Sequence, residues 1–486
     1  MSVQPFLIGD EWIKGNGAPL MSINPANGQT NCEIATASAI DVDHAVRTAE
    51  AAQRKPGWRN MKPHERARLL NKIAQGIDDN AEGLAQKQML ENGKVIAECR
   101  GQVASAAATF RYYAAVCETA ESAVTPSRGD YLSMTVYEPM GVVAAITPWN
   151  SPLTMEAQKL APAIAAGNAV VLKPSEVTSS PALDLGRICL EAGLPPGIVN
   201  VVTGTGRDVG VPLVKHPGVR MVSFTGGTMT GRAIAGIAAE RLIPVALELG
   251  GKSPHIVFAD ADLDNAVAQI IGGIFISGGQ SCVAGSRLFV QRSIRDAFLK
   301  KLTEKAKALR VDLPDAQGAQ IGPMASFTHR DRVEALVAQG RAENGEVILG
   351  GERPSDARLK DGAFYSPTIF TGLDMTATIC REEIFGPVLC ALPFDDEDDL
   401  IVQANDTVYG LAAGIWTADY NKAWRVGRAI DAGTVWINTY KQLSIATPFG
   451  GFKNSGIGRE KGIGGMRLYQ QVKSLYWNLE ARAAHG

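Results

Sequence analysis

Cys282 stands in "GGQSCVAGSR", one sulfur among glycines and small polar residues. A buried cysteine usually lies among leucines and valines. Small neighbours instead leave room for a substrate and for backbone donors, although by itself the residue also fits an inert core thiol. Glu248 closes the apolar run "PVALE" just ahead of two glycines. A carboxylate there either pairs structurally or, its pKa raised by burial, acts as a general base. Asn150 in "TPWN" is either a turn former after Pro148 or an amide donor. Lys173 and Glu176 in "KPSE" suit ribose hydroxyls, and equally a solvated surface. "GTGRDVG", centred on Gly206, is G-x-G-x-x-x-G rather than the dinucleotide fingerprint and fits a tight turn as well. "FTGGTMTG" says more, because Gly226 and Gly227 precede a helix whose first N–H groups could meet a pyrophosphate. None of the six histidines neighbours Cys282 in sequence, so no Cys–His hydrolase signature is visible.

These residues need a scaffold that collects them. Helical patterns fill the N-terminal part, among them "DVDHAVRTAEAAQ" and "IAECRGQVASAAATFRYYAAVCE". From "GVVAAITP" to "PVALELGG", apolar strands alternate with helices. That alternation predicts a parallel sheet covered on both faces. Asn150, Lys173, Glu176, Gly206, Gly226 and Glu248 all follow strand ends, where open α/β sheets bind ligands. A second alternating block runs from about Gly251 to about Ser455 and contains Cys282. "YLSMTVYEP" and "QVKSLYWNL" alternate like strands and could pair as a small appended sheet.

The totals narrow the field. The chain has 486 residues, 45% apolar and 20% charged, with a formal net charge of −2, which does not favour nucleic acid or an anionic membrane as partner. Seven scattered cysteines, with no C-x-x-C pair and no zinc spacing, point to reduced thiols and a cytoplasmic setting without a bound metal. The start "MSVQPFLIGDEW" lacks the pattern of a signal peptide. Residues 265–286 carry no charge but hold too many glycines, glutamines and serines for a membrane span, and read as a buried helix running into the Cys282 loop.

"TPWN", "KPSE", "FTGGT", "LELGGKSP", "GQSC", "EEIFGPV" and "PFGGFKNSGIGRE" occur in that order at familiar separations. The whole chain resembles the NAD(P)-dependent aldehyde dehydrogenase superfamily. The resemblance implies an α/β fold with a Rossmann-type cofactor domain (1–121 and 140–250), an α/β catalytic domain (251–455) and a small β oligomerisation arm (122–139 and 466–486). It implies Cys282 as nucleophile, passing through a thiohemiacetal and a thioester. Asn150 would serve the oxyanion hole, Glu248 would activate the hydrolytic water, and Lys159 and Glu460 would pass protons. Trp149, Lys173, Glu176, Gly206, Gly226, Gly227, Thr228 and Gly250 would line the cofactor, with Glu383 on the nicotinamide ribose and Phe385 beside it. Gly227 departs from the serine common in the family, which removes one hydroxyl from the phosphate. Glu176 favours NAD, since a carboxylate suits a free 2′-hydroxyl and repels a 2′-phosphate, with NADP as the alternative.

By position, Ser151, Met155, Gln158, Val283, Leu443 and Phe449 would line the substrate tunnel, and no arginine matches a carboxylate clamp. That suggests a medium-sized or partly polar aldehyde. A CoA-acylating relative is the nearest competing reading, and Glu248 argues against it. A silent binding protein of the same fold is the second, which retention of Cys282, Glu248 and Asn150 together disfavours. The third is a cofactor-free cysteine hydrolase, against which the strand-end motifs speak. The family's habit and the exposed edges of the appended strands imply a homodimer or homotetramer.

Overall fold

The computed structural model describes residues 3–15 and 17–480. Two parallel sheets dominate. The first runs in the order Gly456–Ile457, Val245–Glu248, Val219–Thr225, Val142–Ile146, Ala169–Lys173, Val199–Val201, Phe6–Ile8, Glu11–Ile13. Its five central strands are mutually parallel. Val142–Ile146 and Ala169–Lys173 are buried along their whole length, the signature of strands with helices on both faces. The second sheet has seven strands in the order Glu346–Leu349, Thr368–Thr371, Val388–Phe394, Arg287–Gln291, Pro254–Val257, Ala412–Trp416, Thr434–Ile437. Only its first pairing is antiparallel.

Local signals set the helices between these strands. The helix Leu263–Ile274 starts where the Asp262 carboxylate accepts from the N–H groups of Asp264 and Asn265. Phe327–Ala342 starts under Ser326, whose hydroxyl accepts from the His329 N–H. Pro152–Ala165 has proline in its first turn and is followed by Gly167 at φ +90°. The uncharged 265–286 stretch is this 12-residue helix, a short 3₁₀ turn and the Cys282 loop. Among the described residues, no helix is long and apolar enough to cross a membrane.

The N-terminal part departs from the helical expectation. Among the described residues, five strands precede the first helix at Ala39. Phe6–Ile8 and Glu11–Ile13 extend the first sheet antiparallel. Val3–Gln4, Gly17–Ile23 and Thr30–Thr36 make a three-stranded sheet of their own. Strands of two or three residues such as Val3–Gln4, Phe6–Ile8 and Glu11–Ile13 carry too little alternation to register as a period.

The appended strands pair as expected: Tyr131–Pro139 lies antiparallel to Gln470–Asn478 from Gln470↔Pro139 to Asn478↔Tyr131, with Val124–Thr125 on the other side. Of the expected 466–486 segment, residues 466–467 end a short helix and 481–486 lie outside the described residues.

Candidate active site

Glu248 is the last residue of its strand in the first sheet, and the chain crosses at once through Gly250 and Gly251 to the second. Both glycines are dictated by close approach. A methyl on Gly250 would collide with the Glu383 carboxylate, and one on Gly251 would sit 2.5 Å from the Cys282 carbonyl. Without side chains there, the Gly251 N–H donates to Glu383 Oε1 at 3.0 Å. This crossing brings Glu248, Glu383 and Cys282 around one cavity.

Cys282 sits on a loop that begins with three consecutive residues at positive φ, Ser277, Gly278 and Gly279. The glycines here serve packing more than access: a methyl on Gly279 would run into the Gly386 backbone, and one on Gly285 into the His255 ring. Gln280 fixes the loop further, its Oε1 accepting from the Ala325 N–H at 2.8 Å. Asn150, between the strand Val142–Ile146 and the helix Pro152–Ala165, donates one amide hydrogen to the Gln280 carbonyl at 3.0 Å. Its second amide hydrogen has no hydrogen-bond partner among the described residues, and both Asn150 and Cys282 line the same cavity. The Cys282 N–H enters no backbone hydrogen bond among the described residues.

The cavity, of about 240 Å³, is lined by Asn150, Met155, Glu248, Gly250, Cys282, His329, Arg332, Glu383 and Phe385, among others. Pro148, Trp149, Thr225, Gly226 and Gly227 line it too, and they also line a longer cleft of about 600 Å³. That cleft continues along the first sheet's strand ends past Lys173, Glu176 and Gly206. Lys173 is buried, not a solvated charge. Its Nζ donates to the Pro174 carbonyl at 2.6 Å and lies 3.6 Å from Glu176, and burial lowers its pKa against that carboxylate. Thr228 is the exception. As the first residue of the helix Thr228–Glu240 it lines neither space, and the turn carries its enclosed hydroxyl towards Tyr409.

Burial pushes the Cys282 thiol up to about 12, with the Glu383 and Glu248 carboxylates adding to the rise and Lys461 and the Val283 N–H opposing it. Glu248 is also raised well above the carboxylate range, by burial first and then by Glu460, against Lys159, Arg459 and Lys461. Both its oxygens are buried without a hydrogen-bond partner. Burial lifts Glu383 to about 7. Burial thus favours the protonated form of both the Cys282 thiol and the Glu248 carboxyl.

Two further expected residues pair close enough to Glu248 for their charges to act on it. Lys159 and Glu460 are both buried and form an ion pair of 2.7 Å, and Lys159 also donates to Ser223 Oγ at 3.1 Å, which meets the Tyr469 hydroxyl at 2.9 Å. Neither member belongs to a solvated surface. Removing one partner of such a pair leaves a buried charge and costs about 3–5 kcal/mol.

Of the residues expected along the substrate tunnel, Met155 lines the Cys282 cavity. Ser151, Gln158, Val283, Leu443 and Phe449 do not. Val283 and Gln158 are buried, while Leu443 is half exposed. Sequence reasoning missed His329, Arg332 and Lys461. His329 packs its ring 5.1 Å from Trp149 and sets Nε2 2.8 Å from the Phe385 carbonyl, which steadies Phe385 at φ +57°. Lys461 is buried, over the Phe449 ring, and its charge acts on Cys282 and Glu248. The Ser326 cap was the one local signal for His329, and it marks a helix start rather than a site.

The sequence profile of the aldehyde dehydrogenase family matches residues 12–475. Betaine aldehyde dehydrogenase from Staphylococcus aureus, solved in complex with NAD+, is 36% identical over 99% of this chain and 96% of its own, with a TM-score of 0.96. The aldehyde dehydrogenase from Bacillus cereus, solved as its NAD+ complex, is 38% identical over 99% of this chain and 97% of its own, also at 0.96. PnpE in complex with nicotinamide adenine dinucleotide is 38% identical over 100% and 99%, again at 0.96.

Proposed function

The chain belongs to the aldehyde dehydrogenase family, and from that premise we propose that it oxidises an aldehyde to the carboxylic acid with Cys282 as nucleophile, Asn150 as oxyanion donor and Glu248 as the base for water. The observation that carries this reading is the meeting of these three side chains at one cavity that opens into the long strand-end cleft. An NAD-coupled assay over aliphatic, aromatic, amino and semialdehyde substrates tests it. NADH formed in step with acid supports it, and acid formed only in the presence of CoA overturns it.

The cleft suits a dinucleotide. Ile146, Pro148, Val214, Phe224 and Ile234 give apolar walls for a flat base. The enclosed Thr225 hydroxyl has no protein partner. Gly226 and Gly227 open the first turn of a 13-residue helix, whose free N–H groups favour a pyrophosphate. Glu176 in the cleft and Glu383 in the Cys282 cavity are the carboxylates available to bind ribose hydroxyls. When bound, the nicotinamide supplies the hydride acceptor. Glu176 is half exposed at the cleft, so NAD is preferred over NADP. Glu176→Gln should raise kcat/KM with NADP about tenfold or more, the effect of removing a like-charge contact worth about 1.4 kcal/mol. Unchanged cofactor preference in steady-state kinetics would remove Glu176 from that role.

The chain's own groups account for the remaining steps. Cys282 must lose its proton before it can attack, and Glu248 is the neighbouring carboxylate able to take one once ionised. Oxygen charge on the tetrahedral thiohemiacetal meets the free Asn150 amide hydrogen and the Cys282 N–H, each donor worth about 3–4 kcal/mol in such sites. After oxidation to the thioester, Glu248 draws a proton from water, and Glu460 and Lys159 carry protons away from it.

The arm supports a homo-oligomer. Among the described residues, Gln470–Asn478 has one edge on Tyr131–Pro139 and the other free, with Tyr476 and Trp477 each 70% exposed and Val472 exposed beside them. A free nine-residue edge with exposed aromatics invites pairing unless a second copy covers it. Sedimentation of the wild type as a multiple of the single-chain mass is the expected outcome, with Val472→Glu/Trp477→Glu shifting it towards the single chain. A wild type that sediments as one chain would end this reading.

A further inference from the structure

The first sheet borders a second space, at the ends of its strands away from the cofactor cleft. The strands Val142–Ile146 and Val219–Thr225 meet the cofactor cleft at their carboxyl ends, through Ile146, Phe224 and Thr225. Their amino ends, through Val142 and Arg220, line a separate cleft of about 740 Å³. The end of the helix Ala39–Arg54, the turn at Arg59 and the base of the arm complete its wall. None of its lining residues lines the cofactor cleft or the Cys282 cavity.

Charge sets this cleft apart. Arg54, Arg59, Arg220 and Lys473 line it against two acids, Glu50 and Glu138. Both acids are already paired, Glu50 with Arg54 at 2.5 Å and Glu138 with Lys473 at 3.0 Å. Arg59 and Arg220 are left over, with no side-chain hydrogen bond or ion pair among the described residues. Both are solvent-exposed, so a ligand can reach them. The cleft thus holds two uncompensated positive charges in a chain whose formal net charge is −2.

The backbone aims one of these arginines. Val219 pairs with Val142 and Met221 with Val143, so Arg220 is the extra residue of a bulge. Bulges re-aim a side chain at the edge of a regular ladder. Gly141, at φ +123°, has no side chain and lets the Arg220 stem lie across it, Cγ 3.2 Å from where a methyl would stand. Arg241 strengthens the field from behind. Its guanidinium is committed to the carbonyls of Val214, Pro217 and Val219, and burial and then the Arg220 charge lower its pKa.

We propose that Arg59 and Arg220 bind the phosphate group of a small phosphorylated metabolite in this cleft. A phosphate monoester carries a charge of about −1.5 to −2 near neutral pH and closes the balance, where a monocarboxylate leaves half of it open. The arginine fork matches phosphate oxygens two at a time. The volume exceeds what a bare ion needs and falls in the range of small-molecule pockets. Pro139, Met140 and Val472 give an apolar wall for the organic part.

Isothermal titration of the purified protein with NAD saturating tests this. The probes are phenyl phosphate, glycerol phosphate and phosphoenolpyruvate, with phenol, glycerol and pyruvate as their unphosphorylated counterparts and inorganic phosphate as the bare ion. At least one ester should bind at one site per chain with a Kd of about 1 mM or tighter, about tenfold below that of inorganic phosphate. The counterparts should not bind. Arg59→Gln and Arg220→Gln should each weaken the ester about tenfold, while Arg220→Lys keeps part of the affinity. Sedimentation and NAD affinity should stay at wild-type values in all three variants, which separates loss of the site from loss of fold or assembly. Esters that bind no tighter than inorganic phosphate indicate an adventitious ion only and overturn the proposal. So do a wild type that binds no ester, binding that NAD displaces, and binding that outlasts both glutamine substitutions.

Discussion

Cys282→Ala should lose aldehyde oxidation by about 10⁴-fold or more, the scale seen when an enzyme loses its covalent nucleophile. NAD affinity should remain within about twofold of the wild type. The selectivity follows from where the sulfur stands. The long cleft is built by strand ends of the first sheet and the start of the helix Thr228–Glu240, and Cys282 is not part of its lining. The loop itself is held by Gly279 against Gly386, by Gln280 on Ala325 and by Tyr440 on Val283, so alanine leaves its backbone pinned. Initial rates and a fluorescence titration with NAD decide the matter. Residual turnover above a hundredth of the wild-type rate would mean that oxidation does not need a covalent sulfur.

Glu248→Gln should produce the second large effect, of a different shape. Steady-state turnover should fall about 10²–10⁴-fold, as expected for loss of a general base, while one equivalent of NADH per site still appears as a burst. The substitution is isosteric, and because both oxygens already lack partners it breaks no hydrogen bond. The wild-type pH profile carries the same information. Burial and Glu460 hold the carboxyl pKa well above its ordinary value, so at low pH Glu248 is a neutral acid and cannot act as a base. Turnover should therefore rise with pH until Glu248 ionises, and that limb should vanish in Glu248→Gln. A variant without the burst would show that the carboxylate's main task is to take the thiol proton, an alternative with weight here because the thiol lies near 12.

Much of this site was legible because its parts sit where local sequence speaks. Strand ends are marked by apolar runs that stop, and Asn150, Lys173, Glu176, Gly226 and Glu248 all follow such stops. What stayed hidden depends on contacts between distant segments. His329 and Arg332 reach the Cys282 cavity only because the Phe327–Ala342 helix docks beside Phe385. Lys461 reads as an ordinary loop charge until the fold buries it. The glycines around Cys282 suggested open space, yet Gly279 and Gly285 are filled by a neighbouring backbone and a ring. Thr228 was misplaced by a single residue, since one step into a helix turns a side chain by about 100°. Two- and three-residue strands such as Phe6–Ile8 gain their identity from the sheet they join, not from their own composition.

The resting thiol near 12 has a protective corollary. In an unstructured peptide a cysteine ionises near 8.5, so a few per cent of it is nucleophilic at neutral pH, whereas here the fraction is on the order of one in 10⁵. At equal pH the folded site thus holds less of this sulfur as thiolate than the nascent chain does. Alkylation of Cys282 at neutral pH should accordingly run slower on the folded enzyme than on the unfolded chain, a difference that mass spectrometry after iodoacetamide treatment reads directly.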